Sequence, residues 1–133
     1  MIQRIGAQTI VWEDDIRDNM EAILTYLSAN GYQGVETGIR HFYLERHQTY
    51  RDLYEKTGII SLGIHSGGKF WDPGQANDEM KRIEDTVRFA SRVGSEYLLV
   101  SGNPHETVAS MQAAAATYNE LGQRCLDAVS YTH

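Results

Sequence analysis

The sequence predicts an α/β fold in which strands and helices alternate around a parallel sheet. Four times along the chain, a short apolar run is followed by a longer amphipathic segment, which is the pattern of β/α units. A glycine also stands just before three of the four strands, at Gly31, Gly58 and Gly94, where it can end a helix in the left-handed conformation. No linker or low-complexity tract interrupts this pattern. We therefore expect one domain over residues 1–133 with four β/α units.

The first unit is marked at both ends of its helix. Its strand is predicted within Ile5 to Val11. Asp14 or Asp15 can cap the following helix, and Asn30-Gly31 can end it. Apolar side chains recur at helical spacing between these limits and predict the buried face: Ile16, Met20, Ile23, Leu24 and Leu27.

The second unit combines a short strand at Gly34 to Thr37 with a helix from about Leu44 to Lys56. One side of this helix is unusually aromatic, and it carries Tyr43, His47, Tyr50 and Tyr54 beside Leu44 and Leu53. The third strand, Ile59 to His65, is a nearly continuous apolar run, typical of a strand buried on both faces of a parallel sheet. It places His65 at the carboxyl end of the strand, followed by a glycine-containing loop.

The last two units follow the same rules. Asn77 can cap the third helix, and Gly94 can end it before a fourth strand at Tyr97 to Ser101. The inward side of the third helix is predicted to comprise Met80, Ile83, Val87, Ala90 and Val93. The fourth helix is predicted from about Val108 to Ala128, and its buried side is expected to comprise Val108, Met111, Ala115, Tyr118, Leu121 and Cys125.

Composition and charge exclude several classes of protein. Twelve Lys and Arg against eighteen Asp and Glu give a net charge of −6, which disfavours nucleic acid as a partner because that binding depends on clustered cations. The N-terminal segment lacks the continuous apolar stretch of a signal peptide or membrane span, so we expect a soluble cytoplasmic protein. Cys125 is the only cysteine, which excludes an intrachain disulfide and a cysteine-based zinc site.

Two folds are compatible with a pattern of four β/α units: an open doubly wound sheet and a (β/α) barrel. The first strand is not followed by a GxGxxG turn, which disfavours the nucleotide-binding form of the open sheet. A flavodoxin-like sheet that serves as a binding domain stays possible on the strand and helix pattern alone.

Four stretches of the sequence resemble a known family and favour the barrel over the open sheet: GYQGVETG, GIHSGG, RFASRVGSEYLLVSGN and YNELGQRCLDA. In their order and spacing they resemble the sugar phosphate isomerase/epimerase family, the xylose isomerase-like TIM barrels that include inosose dehydratases. The resemblance covers essentially the whole chain and implies an eight-stranded barrel of which this chain is the N-terminal half. It also implies a divalent metal, Mn, Co, Zn or Mg, whose usual ligands lie on strands that this chain lacks. The final VSYTH resembles the start of a fifth strand, in which His133 is the one candidate metal ligand.

The resemblance implies catalytic roles for Glu36 and His65 at the ends of the second and third strands. A carboxylate in the barrel mouth can position a hydroxyl or transfer a proton; the alternative is a helix-capping or surface acid. An imidazole can hydrogen-bond a sugar hydroxyl, donate to a developing enediolate oxygen or bind a metal; the alternative is a histidine that neighbouring carbonyl groups satisfy.

Four further residues are candidate substrate contacts. Lys69 and Trp71 suit a phosphate or carboxylate and the apolar face of a sugar respectively, Trp12 can wall the pocket, and Asn103 can contact hydroxyls, as can His105 beside it. Each has a structural alternative: a solvated loop for Lys69 and Trp71, a packing aromatic for Trp12 and a turn for Asn103. Three other side chains are expected to have structural roles. His41 is predicted on the surface of a loop, although metal-binding relatives of the same fold place a ligand there. His47 is predicted on a packed helix face, and Cys125 at a buried helix position.

Half a barrel leaves two sheet edges and an uncovered apolar face. We therefore expect a homodimer that closes one eight-stranded barrel, or a separate partner half. The expected activity is isomerisation or epimerisation of a sugar, sugar phosphate or polyol by metal-assisted proton transfer beside a carbonyl. The alternative is a non-catalytic half-barrel module or truncated relic.

Overall fold

The computed structural model describes residues 5–102 and 106–130, and for residues 14, 15 and 128–130 it describes the backbone alone. Strands and helices alternate along the chain, as predicted. The strands are β1 (Gly6–Gln8), β2 (Gly34–Gly38), β3 (Ile60–Gly68) and β4 (Tyr97–Gly102). The α-helices are α1 (Ile16–Ala29), α2 (His47–Thr57), α3 (Ala76–Val93) and α4 (Val108–Ser130). Short 3-10 segments at Thr9–Asp15, Ile39–His41 and Leu44–Arg46 connect them.

The four strands are parallel and lie in the order β1-β2-β3-β4. Each strand therefore lies beside its neighbour in sequence, as in a β/α barrel. A flavodoxin-like sheet would place β1 between β2 and β3, so the sequential order excludes that alternative. The half-barrel fold class is confirmed.

Contacts divide the chain into two compact units, one from Met1–His65 and Phe89–Leu99 and the other from Ser66–Arg88 and Val100–His133. The core of the first unit lies between the helices and one face of the sheet. Val35 and Ile64 are fully buried there, and the five predicted residues of α1 are all buried. Phe42, Tyr50 and Phe89 form an aromatic cluster, with ring centroids 4.9 Å apart for Phe42–Tyr50 and for Phe42–Phe89.

The core of the second unit centres on Phe70, which is 1% exposed. Its ring lies 5.1 Å from that of Tyr118, measured between centroids. Arg124 bridges α4 to α3 through Glu84, at 3.1 Å between Nη1 and Oε1. The remaining buried side chains of this unit are Ser66, Met80, Ile83, Thr86, Val87, Ala114 and Leu121.

Three predictions at the helix ends are confirmed. Gly31, Gly58 and Gly94 all adopt positive φ, at 81°, 70° and 78°. The Gly58 N–H donates to the Tyr54 carbonyl, which closes α2 in the left-handed cap that glycine favours.

Several element boundaries differ from the prediction. β1 ends at Gln8 because the chain turns into a 3-10 segment with φ 52° at Glu13. α3 begins at Ala76, so Asn77 lies inside the helix and is not its cap. α4 continues through Ser130, so the start of VSYTH is helical.

β3 continues three residues beyond His65, through the glycine pair that the sequence assigned to a loop. At Gly67 a side chain would meet the backbone of Ser101 on the neighbouring strand at 2.5 Å. Glycine is therefore what allows the close approach of these strands.

The buried face of α4 was predicted in part. Leu121 is buried, and Tyr118 and Cys125 are half-buried. Val108 and Met111 are 70% and 54% exposed, and Ala115 is also exposed. No helix within the described residues combines the length and apolar character that crossing a membrane requires.

Candidate functional site

The register of the first three strands places Gln8, Glu36 and Gly63 side by side. Gln8 pairs with Glu36, and Glu36 pairs with Gly63. Paired residues of parallel strands point to the same face of a sheet. This face, called the open face below, is opposite the one whose Val35 and Ile64 pack in the core.

Glu36 is held at its side chain by Gln8 and at its backbone carbonyl by Thr9. Gln8 Nε2 donates to Glu36 Oε1 at 3.0 Å. Thr9 Oγ1, which is 1% exposed, donates to the Glu36 carbonyl oxygen at 3.3 Å. One carboxylate oxygen is thus oriented by a neutral amide, and Glu36 remains half-buried.

Three glycines shape the open face around this carboxylate. β3 carries one extra residue, Leu62, where the register shifts between Val35 and Glu36. A Cβ at Gly34 would lie 2.5 Å from Leu62 Cγ, and one at Gly6 would lie 2.7 Å from Leu62 Cδ1. Leu62 therefore covers both glycines.

Leu99 covers Gly63 in the same way, because a Cβ at Gly63 would collide with Leu99 Cδ1. A cavity of about 540 Å³ lies over this surface, a volume within the range of small-molecule sites. It is lined by Gly6, Ala7, Gln8, Glu36, Leu62, Gly63, Tyr97, Leu98 and Leu99.

The cavity combines one carboxylate and one carboxamide with a largely apolar wall. Such a site can bind the carbon skeleton of a small polar molecule while the carboxylate accepts a hydrogen bond or a proton. Glu36 lines this cavity, and its catalytic role stays a prediction.

His65 lies on the open face, two residues beyond Gly63 and paired with Gly38. Its side chain is exposed. Because side chains alternate between the two faces of a strand, His65 lies on the same face as Glu36 and two residues nearer the carboxyl ends of the strands. The sequence placed it at the last residue of the strand; the structure places it inside β3.

Trp12 lies in the 3-10 segment after β1 and is half-buried. Its ring meets that of Tyr26 edge-on, with centroids 6.5 Å apart and planes at 76°. It packs against the core cluster of the first unit, which matches the packing alternative for this residue.

Lys69 and Trp71 belong to the second unit. The Lys69 side chain is exposed, and its backbone N–H donates to Glu79 Oε1 at 3.4 Å. Trp71 is half-buried, and its Nε1 is buried without a hydrogen-bond partner among the described residues.

Two of the remaining histidines are placed by the structure. His41 is 6% exposed, so the surface position predicted for it is wrong. Its Nε2 accepts a hydrogen bond from Arg40 Nε at 2.9 Å.

His47 is half-buried, which agrees with its predicted packing role. Cys125 is also half-buried, and burial raises the pKa of its thiol.

A divalent metal would need several oxygen or nitrogen ligands converging on one point. Among the side chains that the structure describes, no three His, Cys, Asp or Glu residues converge in this way. The described residues alone therefore do not fit the metal that the resemblance implies. Asn103, His105 and His133 lie outside the described residues.

Gln8 is the site residue that sequence reasoning missed. A signal for it was present, because GAQ at Gly6 and GVE at Gly34 share the spacing of a glycine and a polar residue two positions later. Aligning the two strands on these glycines brings Gln8 beside Glu36, which is the observed register.

Comparison with solved structures identifies the fold. A sugar phosphate isomerase/epimerase from Parabacteroides distasonis superposes with a TM-score of 0.79 and 13% identity, over 96% of this chain and 51% of that chain. The 3-keto-D-glucoside 4-epimerase from E. coli superposes with a TM-score of 0.75 and 15% identity, over 96% of this chain and 53% of that chain. D-psicose 3-epimerase from Clostridium cellulolyticum H10 superposes with a TM-score of 0.74 and 10% identity, over 95% of this chain and 50% of that chain.

No protein-family model matches the sequence, and no curated protein matches it. The chain spans about half the length of the solved structures that it resembles. Their low sequence identity limits the likeness to architecture. The chain has the fold of half a TIM barrel.

Proposed function

We propose that the chain is half of a sugar isomerase or epimerase barrel that transfers a proton beside a carbonyl group. The observation that carries this proposal is the Glu36 carboxylate, which is oriented by Gln8 at 3.0 Å and lines a cavity of the size that small molecules occupy. The names of the similar solved structures, which include epimerases that act on sugars, support the substrate class.

The proposed reaction uses Glu36 as the base. The carboxylate takes a proton from the carbon beside the substrate carbonyl, and the electron pair of that C–H bond forms the double bond of an enediolate. Delivery of a proton to the opposite face of that carbon, from water or a second acid, gives an epimer. Return of the Glu36 proton to the neighbouring carbonyl carbon, with transfer of the hydroxyl proton between the two oxygens, gives an isomer. Gln8 occupies Oε1 as a donor, which leaves Oε2 to the substrate.

His65 is proposed to donate to the developing enediolate oxygen, because it lies on the same face one pleat further along. Trp12, Lys69, Trp71 and Asn103 stay proposed contacts to the substrate. The divalent metal of the resemblance stays a proposal that involves residues outside the described ones, and none of these steps depends on it.

Solvent deuterium exchange tests the chemistry directly. The protein is incubated in D₂O with a panel of ketoses and ketose phosphates, with and without Mn²⁺, and loss of the proton beside the carbonyl is followed by NMR. We expect Glu36→Gln to lower the exchange rate by about 10²-fold or more, as for loss of a general base.

The matched control is Glu55→Gln. Glu55 is exposed on α2 in an ion pair with Arg51, and such surface pairs contribute little to stability, so exchange should be unchanged. Exchange that is absent under every condition, or equally fast in Glu36→Gln, would rule out the proposed reaction.

We also propose that a second copy of the chain completes the barrel. The strand order leaves β1 and β4 at the sheet edges. Apolar side chains on this sheet remain exposed, with Ile60 at 36%, Tyr97 at 66% and Leu99 at 39%. A second set of four β/α units would pair both edges and cover these side chains.

The mostly apolar lining of the cavity favours a second candidate, a non-catalytic half-barrel module. Leu62 and Leu99 fill the space over Gly34 and Gly63, as packed side chains fill the interior of small barrels. The exchange experiment separates the two functions, since a module that only packs against another half would bind no sugar and exchange no proton.

A further inference from the structure

Two arginines, Arg17 and Arg46, lie against the Tyr43 ring after β1 and β2, and the backbone of a third, Arg40, adjoins them. Arg17 lies in the first turn of α1, which follows β1. Arg40 lies in the 3-10 turn after β2, and Arg46 immediately precedes α2. All belong to the first compact unit. This group of Arg17, Arg40, Arg46 and Tyr43 is called the arginine cluster below.

The contacts within the arginine cluster are specific. Arg17 Cζ lies 4.8 Å from the centroid of the Tyr43 ring, and Arg46 Cζ lies 4.6 Å from it. Arg17 Nη2 also donates to the Arg40 carbonyl oxygen. Two guanidinium groups therefore share one aromatic ring, and the third arginine is bonded to the first through its backbone.

The platform beneath these guanidinium groups is fixed in the core. The Tyr43 backbone N–H donates to the Tyr50 hydroxyl at 3.1 Å, and Tyr50 is 4% exposed. Arg40 Nε donates to Nε2 of the buried His41 at 2.9 Å. A guanidinium that is already oriented loses less freedom when it binds a planar or tetrahedral anion.

Among the side chains that the structure describes, no ion pair joins the arginine cluster to a carboxylate. The ion pairs among the described side chains involve Arg51, Arg82, Arg88, Arg124 and Lys56. None of these is a member of the cluster. Three neighbouring arginines without an ion pair among the described side chains are unexpected in a chain of net charge −6, because carboxylates outnumber cations. An external anion would supply the missing charge.

The position of the cluster strengthens the attraction for an anion. The N-termini of α1 and α2, helices of 14 and 11 residues, both lie beside it and carry the positive end of the helix dipole. Of the common anions, phosphate fits best, since its tetrahedral oxygens can accept hydrogen bonds from more than one guanidinium group and its charge exceeds that of a carboxylate.

We propose that the arginine cluster is a binding site for a phosphate group, either free phosphate or the phosphate of a phosphorylated sugar. The proposal does not depend on Glu36 or on catalysis. It predicts that recognition of a phosphate lies after β1 and β2, on residues that neither the resemblance nor the cavity identifies.

Titration with inorganic phosphate, followed by ¹H–¹⁵N NMR of the arginine Nε–Hε groups, tests the site. We expect saturable shifts at Arg17, Arg40 and Arg46 that weaken as NaCl is raised. Arg40→Gln or Arg46→Gln should weaken phosphate affinity by about tenfold, as for the loss of a charge-assisted hydrogen bond. The matched control is Arg51→Gln, whose guanidinium on α2 is paired with Glu55 at 3.1 Å and whose loss should leave the affinity unchanged.

Fructose 6-phosphate and fructose then distinguish the sources of the phosphate. Tighter binding of fructose 6-phosphate than of phosphate supports a sugar phosphate ligand, and equal binding supports free phosphate. The proposal is overturned if wild-type protein shows no saturable phosphate binding, or if Arg51→Gln weakens it as much as Arg40→Gln does. Because binding is measured without turnover, a protein that binds phosphate but exchanges no deuterium would refute the isomerase proposal alone.

Discussion

Tyr50 and Tyr54 lie one turn apart on α2, and both are buried, yet their hydroxyl groups differ. The Tyr50 hydroxyl accepts a hydrogen bond from Tyr43 N–H. The hydroxyl oxygens of Tyr54, Thr37 and Ser61 are buried without a partner among the described residues. Burial raises the pKa of Tyr54 to about 12, while the nearby hydroxyls of Ser61 and Thr37 act in the opposite direction.

Tyr54 should therefore make stability fall at alkaline pH. Below the ordinary pKa of 10.0 the phenol is protonated in both the folded and the unfolded chain, and this contribution is fully present. Between pH 10 and pH 12 it ionises in the unfolded chain only, so about 2 to 3 kcal/mol of folding free energy is lost. Urea unfolding at pH 9 and pH 11.5 should show a smaller loss for Tyr54→Phe than for wild type.

Ser61→Ala supplies the companion variant for this measurement. Ser61 lowers the pKa of Tyr54, so its removal should extend the alkaline loss to higher pH. Equal losses for wild type and Tyr54→Phe would show that Tyr54 ionises alike in the folded and unfolded chains.

At the scale of single residues, the site was predictable only in part. Glu36 was identified because the resemblance implies a functional carboxylate at the end of the second strand. Gln8 and the arginine cluster were missed because their significance comes from contacts between segments about 25 residues apart, such as Gln8–Glu36 and Arg17–Arg40. Spacing within one helix or strand carries no signal for such contacts.

Among the secondary structure elements, β2 and β3 pack through a glycine and a leucine. Leu62 is the extra residue of β3, and it occupies the space that a side chain at Gly34 would need. A Cβ at Gly34 would lie within 3.0 Å of three Leu62 atoms, Cγ, Cδ1 and Cδ2. The whole leucine side chain would have to move.

Gly34→Ala should therefore destabilise the protein by about 1 to 3 kcal/mol, the usual cost of overpacking. Leu62→Ala removes the obstacle, so the double variant should be less destabilised than the sum of the single variants by about 1 kcal/mol or more. Urea unfolding of all four proteins measures this coupling.

Gly122→Ala is the matched control for this cycle. Gly122 lies in α4, and a Cβ there would meet nothing within 4 Å, so alanine should raise stability by about 0.5 to 1 kcal/mol through its helix propensity. Strict additivity of Gly34→Ala and Leu62→Ala would show that the two positions do not share the space.

The helices and strands show which patterns in the sequence are reliable. The prediction for α1 succeeded because five apolar residues at helical spacing face one core. The prediction for α4 failed at Val108, Met111 and Ala115 because alanine-rich helices offer apolar residues on several sides, and only contacts select the buried one. The extension of β3 through Gly67 and Gly68 was missed because a pair of glycines usually indicates a loop. Only the position of the neighbouring strand shows that these two residues continue the sheet.

For the whole molecule, the open face and the two edges of the sheet bear on how the chain assembles. In the described part of the chain, β1 and β4 form the two edges of the sheet. The solved structures with this architecture are about twice as long, so the same architecture there continues into a second half. A second copy of this chain offers the same number of strands and an identical apolar surface, and a two-fold axis would pair β1 of each chain with β4 of the other.

The solution mass should therefore be twice that of a single chain in light scattering after size-exclusion chromatography. Leu99→Lys places a charge on the covered surface, where an unpaired buried charge is costly, and should shift the population to monomers or aggregates. Val108→Lys is the matched control, because Val108 is 70% exposed on α4, and should leave the dimer intact. A monodisperse wild-type monomer, with Leu99→Lys indistinguishable from it, would contradict closure by a second copy and would direct attention to a partner half of different sequence.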